Sequence, residues 1–264
     1  MNPFAVIPLR AFRDNYIWLV VQSNFALVVD PGDAAPVLDY LQQHQLKLCA
    51  ILLTHHHNDH IGGVNELLCH DAIPVYGPPM PTDFSYTLVG EGEPIFIPQM
   101  ALHFSILNVP GHTAQHLAYY AGNHLFCGDT LFGCGCGRIF DGSIEALYAS
   151  LQKIARLPDD TLVYCAHEYT LDNVRFARDI DPDNRALLAR EEADSSRISL
   201  GQPTLPSTLS LEKASNPFLR CETPAIISAA VKAGCQDAHN PIETFRAIRT
   251  LKNNFQPPQK ALPD

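Results

Sequence analysis

The segment THHHNDH, residues 54–60, narrows the possible folds most, because it follows the apolar run LCAILL without a break. An apolar run of that length reads as a strand buried inside a sheet, and ligand-binding residues in open α/β sheets lie just beyond strand ends. In extended chain, residues two apart point the same way, so His55 and His57 face one direction and His56 the other. Asp59 and His60 fall in the turn entering the next helix, where they can reach a second ion near the first. The pattern differs from the helical HExxH motif, whose histidines are four apart on one face.

Taken alone, such a run can be a solvated polar loop. Three further segments change the weighting. PGHT places His112 after the strand-like HFSILNV, CGDT places Asp129 after HLFCG, and CAHEYT places His167 after TLVYC. Potential ligands at four strand ends are what a metal site on one sheet edge requires, and a polar loop gives no reason for them. His44, His70, His103, His116, His124 and His239 lack that context and read as structural or surface residues.

Short apolar or alternating runs recur from residue 4 to about 127: FAVIPL, YIWLVVQ, FALVVD, LCAILLT, PIFIP, HFSILNV, LAYYAG and HLFCG, with TLVYCA later at 161–166. Between them, residues 35–44, 61–70 and 143–157 have helical length and spacing. The expectation is a mixed α/β domain over 1–170, followed by a helical appendage over 171–264 in which the β pattern stops. Within that appendage Thr223 precedes Pro224 and Gly234 ends the pattern, while Asn240 and Pro241 start another helix.

A net charge of -10 argues against a nucleic-acid backbone as ligand, so an anionic small substrate would need local positive charge from metals or a few placed cations. The eight cysteines are scattered and read as reduced thiols, with Cys134 and Cys136 in a tight glycine loop. The first residues carry no secretory pattern and no run is long enough to span a bilayer, so the expected setting is cytoplasmic, without membrane or nucleic-acid partners, as a monomer.

The four ligand-bearing segments resemble the metallo-β-lactamase superfamily, which implies an αββα sandwich, here followed by the expected C-terminal helical domain, and up to two metals at one edge. By that resemblance His55, His57 and His112 hold one metal and Asp59, His60 and His167 the other, with Asp129 and a hydroxide bridging. Asp59 and Asp129 are then the catalytic carboxylates. Two divalent cations outweigh two aspartates and one hydroxide, leaving the centre net positive. His and Asp donors discriminate weakly among metals, so zinc is expected, with iron or manganese as alternatives.

FRDNYIWLV, GCGCGRIFDG, CAHEYT, PSTLSLEKASNPFLR and FRAIRTLKNNF together resemble the glyoxalase II family, the hydroxyacylglutathione hydrolases, over essentially the whole chain. The resemblance implies hydrolysis of S-D-lactoylglutathione to D-lactate and glutathione, the second step of methylglyoxal detoxification. It also implies glutathione contacts from Arg138, Phe140, Tyr169, Asn173, Arg249 and Lys252. Arg249 and Lys252 are three apart and so share a helix face, from which they could grip one carboxylate; cations near a helix C-terminus also favour the helix dipole. Several family members carry Lys in place of Arg138 and Tyr in place of Phe140, and phenylalanine donates no hydrogen bond. Rival readings are a lactonase or β-lactamase, a glutathione persulfide dioxygenase using one iron, and a non-catalytic metal-binding interaction module.

Overall fold

In the computed structural model, which describes residues 4–256, the first four β-patterned runs and two short strands outside the expected pattern form one six-stranded sheet. Its strands lie in chain order: β1 (Ala5–Ala11), β2 (Asn15–Gln22), β3 (Phe25–Val29), β4 (Lys47–Leu52), β5 (Val75–Gly77) and β6 (Thr87–Leu88). A second sheet is built from β7 (Ile95–Ile97), β8 (Leu102–Asn108), β9 (Leu117–Ala121) and β10 (His124–Gly128). After a small hairpin, β11 (Leu131–Phe132) and β12 (Gly135–Cys136), the second sheet is completed by β13 (Leu162–Cys165) and β14 (Ser207–Thr208).

Side-chain alternation explains why the sheets stack. On β2, Tyr16, Trp18 and Val20 enter the core between the sheets, where they join Phe104 and Phe126. Ile17 and Leu19 point the other way, into a second core with Val37 and Leu41 of α1 (Ala35–His44) and Val64 and Leu67 of a helix further on. Being buried on both faces, β2 needs the near-continuous apolar run its sequence shows. Following β4 come α2 (Asn58–Ile61) and α3 (Val64–His70). α4 (Ile144–Ile154) adds Leu147, Leu151 and Ile154 to the core from beyond the second sheet, and Ser143 caps its start by accepting from Ala146 N. Two packed sheets with helices outside give the αββα sandwich.

Later residues form α5 (Thr170–Ile180), α6 (Arg185–Ser199), α7 (Leu209–Ser215), α8 (Pro224–Lys232) and α9 (Pro241–Asn254). Asn240 caps α9 by accepting from Ile242 N, whereas Thr223 at the start of α8 turns its hydroxyl back to donate to Arg220 O. Residues 257–264 of the expected appendage lie outside the described residues.

Two expectations are corrected. The helix expected over 61–70 starts only at Val64, as α3, after the separate short α2, and Gly62 and Gly63 between them pass too close to other backbone for any side chain. A Cβ on Gly62 would lie 2.7 Å from Asn58 O and 2.8 Å from Gly32 O. The β pattern also does not stop at 170: Ser207–Thr208 returns as β14 and pairs antiparallel with β13. Two residues are too short for an alternation signal, so only the pairing reveals that strand.

Candidate metal centre and adjoining cleft

The ends of β4, β8, β10 and β13 converge at one edge of the sandwich. His55 and His57 follow β4, His112 follows β8, Asp129 follows β10 and His167 follows β13. Gly128 makes the turn before Asp129 possible. Its φ is +48°, and a Cβ there would lie 2.3 Å from Thr54 Oγ1, so glycine alone fits.

His55, His57 and His112 form one group. His57 Nδ1 lies 3.0 Å from His55 Nε2 and 3.1 Å from His112 Nε2. Tetrahedral ligation with metal–nitrogen bonds of about 2.0–2.1 Å sets ligand nitrogens roughly 3.3 Å apart, so the three atoms are already spaced for one ion. Burial first, then neighbouring imidazoles, pushes the pKa of His55 and His57 below the ordinary histidine value; burial also lowers that of His112. Neutral imidazoles with free lone pairs are the ligating form.

Asp59, His60 and His167 form the second group, and Asp129 lies between the two. Asp129 Oδ1 is 3.5 Å from His60 Nε2 and 3.4 Å from His167 Nε2, while its Oδ2 is 3.5 Å from His112 Nε2. Asp59 Oδ2 is 3.6 Å from His60 Nε2 and 3.5 Å from His167 Nε2. His60 Nε2 and Asp129 Oδ1 are buried without a hydrogen-bond partner among the described residues. Two adjacent buried polar atoms left unpaired are expensive unless a cation satisfies both. The electrostatics agree: burial opposes charge on His60, yet Asp129 and Asp30 outweigh it and raise its pKa to about 9. A pocket that draws a proton between carboxylates draws a metal ion for the same reason. The donor set and spacing therefore fit two divalent ions.

Outer partners aim these rings. His112 Nδ1 donates to Arg138 O at 2.7 Å, His167 Nδ1 to Asp14 Oδ1 at 2.9 Å and His60 Nδ1 to Asp30 Oδ2 at 3.0 Å. Thr54 Oγ1 donates to Asp30 Oδ2 and faces His55 Nδ1 at 3.1 Å. Occupying Nδ1 leaves Nε2 turned inward on all four rings. His57 is the exception and presents Nδ1. Asn15 Nδ2 donates to Asp59 Oδ2 at 3.0 Å.

His116, read from the sequence as structural or surface, is structural and directly supports the centre. It is buried, stacks on His55 at 4.7 Å, and its Nε2 accepts from Asp129 N at 3.2 Å. Burial, followed by nearby His112, pushes its pKa down to about 3, so it stays a neutral acceptor. Sequence reasoning also passed over Asp14, Asn15, Asp30 and Thr54. Asp14 ends the polar turn before β2, Asn15 is the first residue of that strand and Asp30 follows the apolar run FALVV, but nothing local names their partners.

Beside the centre is a cavity of about 520 Å³, lined by His57, Asp59, His112, Asp129 and His167 on one side and by Arg138, Phe140, Tyr169, Asn173, Arg249 and Lys252 elsewhere. The structure thus brings every proposed substrate residue to this cleft, but not in equivalent roles. Arg249 is buried and donates from Nη1 to Cys136 O at 2.9 Å and from Nε to Asn253 Oδ1 at 3.1 Å. Asn173 is likewise buried and donates to Gly133 O at 3.0 Å. Lys252 donates to Asp172 O at 3.0 Å, and burial, then Arg249, lowers its pKa to about 8. Arg138 and Phe140 are exposed at the rim, with the Phe140 ring edge-on to His57 and His112. Tyr169 stacks on His167 at 4.7 Å. The pairing of Arg249 and Lys252 on one carboxylate is therefore unequal, because two of the guanidinium nitrogens already serve the protein.

Residues 10–167 match the metallo-beta-lactamase superfamily, and residues 168–255 match the hydroxyacylglutathione hydrolase C-terminus. A curated hydroxyacylglutathione hydrolase of Nitrosomonas eutropha is 55% identical over 253 residues, covering 95% of this chain and 99% of the relative. The chain belongs to the hydroxyacylglutathione hydrolase family. Among solved structures, this family member resembles ETHE1 from Myxococcus xanthus, with a TM-score of 0.66 and 25% identity over 97% of this chain and 93% of the other. It also resembles TTHA1623 in a di-iron-bound form, with a TM-score of 0.59 and 27% identity over 81% of this chain and 100% of the other. No helix among the described residues of this hydroxyacylglutathione hydrolase homologue is long and apolar enough to cross a membrane.

Proposed function

We propose that this chain is a thioester hydrolase that cleaves S-(2-hydroxyacyl)glutathione, typically S-D-lactoylglutathione, to a 2-hydroxy acid and glutathione. The observation that carries the reading is Asp129, whose two oxygens face two separate histidine groups beside a cation-lined cleft. His55, His57 and His112 with Asp129 Oδ2 would hold one ion, and Asp59, His60 and His167 with Asp129 Oδ1 the other. When bound, two such ions supply Lewis acidity and a water acidic enough to act as a nucleophile at neutral pH. Zinc is the proposed metal.

Division of labour follows the chain. Residues 1–170 would form the catalytic domain and 171–264 the substrate-binding domain, acting as a monomer in the cytoplasm. Glutathione carries two carboxylates, for which Arg138 and Lys252 offer charge, while Arg249 shapes the cleft between them. Burial raises the pKa of the Tyr169 phenol, leaving it a protonated donor. The leaving group is a thiol of reference pKa about 8.5, so no side chain has to protonate it. The outer partners Asp14, Asp30, Asn15 and Arg138 O hold the ligand atoms in place through the reaction.

The test is a side-by-side assay of S-D-lactoylglutathione, a lactam, a phosphodiester and glutathione persulfide with oxygen uptake, with metal analysis of the same sample. Turnover of the thioester alone supports the reading. Preference for another substrate, or turnover that survives chelation, overturns it.

A further inference from the structure

The hairpin β11–β12 links Asp129 to Arg138, and side chains from the later helices hold it at nearly every residue. Asn173 Nδ2 donates to Gly133 O at 3.0 Å, Asn216 Nδ2 to Gly135 O at 2.9 Å, and Arg249 Nη1 to Cys136 O at 2.9 Å. Glu212 Oε2 accepts from Cys134 N at 2.8 Å, where the backbone takes a φ of +55° that cysteine rarely adopts. Such a turn persists only where its surroundings over-determine it.

Glu212 is wholly buried and is the hub of that clamp. Its Oε1 accepts from Arg190 Nη2 at 2.7 Å and Ser207 Oγ at 2.6 Å, and its Oε2 also accepts from Asn216 Nδ2 at 3.2 Å. Arg190, equally buried, donates in addition to Asp194 Oδ2 and Ser215 Oγ. The far end of the hairpin enters the metal edge. Gly137 N donates to Thr130 O at 3.1 Å, Arg138 O accepts from His112 Nδ1 at 2.7 Å, and Phe140 N donates to His112 O at 2.9 Å.

We propose that Glu212 is a positioning residue: with Asn216 it locks the 131–138 hairpin, which sets both the aim of His112 into the metal centre and the place of Arg138 at the mouth of the cleft. The clamp ties metal affinity and substrate binding to one buried network, because the carbonyl and the side chain of Arg138 leave the same backbone. The substrate half rests on the glutathione thioester reading; the metal half does not.

The experiment compares Asn216→Ala and Glu212→Gln with Ile226→Val, a change in the buried face of α8 that removes none of the hydrogen bonds holding the hairpin. A glutamine retains one acceptor oxygen where Glu212 serves Cys134 N and Arg190 together, so one side of the clamp opens. Zinc affinity is read by competition with a chromophoric chelator on folded protein, alongside KM and kcat for S-D-lactoylglutathione and the melting temperature. The expected result is zinc affinity lowered about tenfold or more, with KM raised, in either clamp variant, and neither changed in the control. Clamp variants that melt earlier but keep wild-type zinc affinity and KM overturn the proposal. If Glu212→Gln does not fold, Asn216→Ala decides. If the wild type does not hydrolyse the thioester, that reading fails while the zinc competition still decides the clamp.

Discussion

Two buried polar clusters lie within this molecule, and they treat their polar atoms in opposite ways. Around Arg190 and Glu212, both Glu212 oxygens accept at least two hydrogen bonds and Arg190 donates from Nε, Nη1 and Nη2. At the sheet edge, His60 Nε2 and Asp129 Oδ1 are also buried and have no hydrogen-bond partner among the described residues. Since an unpaired buried polar atom costs about 1–3 kcal/mol, the second arrangement is a strain the fold tolerates only where something else binds. Full pairing marks a structural joint; convergent unpaired donors mark a receptor for cations.

The sharpest way to break that distinction is Asp129→Ala. It removes the carboxylate shared by both ligand groups, so kcat/KM should fall by more than the roughly 10–100-fold typical of losing an outer partner, with bound metal falling in parallel by elemental analysis. Retained metal and turnover would show that the edge is an ordinary polar cluster.

The structural joint should fail in the opposite sense. Glu212→Ala removes one of the two carboxylates paired with the buried Arg190, leaving Asp194, and should cost about 3 kcal/mol, measured by urea unfolding of metal-free protein. Adding zinc should stabilise wild type by about 4 kcal/mol at about 1,000-fold excess over its dissociation constant in calorimetry, since only the edge has cations to gain.

A smaller effect is expected from Asp14→Asn, which keeps the size of the partner of His167 Nδ1 and removes its charge. Metal affinity should drop about 10-fold with little loss of stability. No change in a metal competition assay would remove Asp14 from the centre.

Lys252→Ala should have the mildest consequence, raising KM for a glutathione thioester about tenfold, the equivalent of one charge-assisted hydrogen bond, with kcat held. Its pKa of about 8, against an ordinary 10.5, gives a pH signature. Between those values the unfolded chain binds more protons than the folded one, so stability contributed by this residue rises with pH while substrate binding weakens. A KM independent of pH from 7 to 10 would contradict a role for the Lys252 charge.

Most of the longer strands and the seven converging side chains were legible because their signals are local, whereas the sandwich itself was implied only by the family resemblance. An apolar run ending in His or Asp is visible within about ten residues, and a two-residue alternation needs only the strand itself. The start of α3 only at Val64 was less legible, since Gly62 and Gly63 before it are forced by Gly32 O and by the chain around residues 31–34, which the local pattern does not contain. β14 was invisible for the same reason.

By itself, the order of residues determined which chemistry this protein carries: the ligand types, their strand-end placement, and the cations available to an anionic substrate. Tertiary structure alone decided how those groups are aimed. Asp14 reaches His167 across 153 positions, Glu212 reaches Cys134 across 78, and Asp30 turns its carboxylate to His60 across 30. Strand-end ligands follow from short-range periodicity, but the partner of a ring nitrogen or a strained peptide is set by which distant segments the cores bring together, and no window along the chain holds that information.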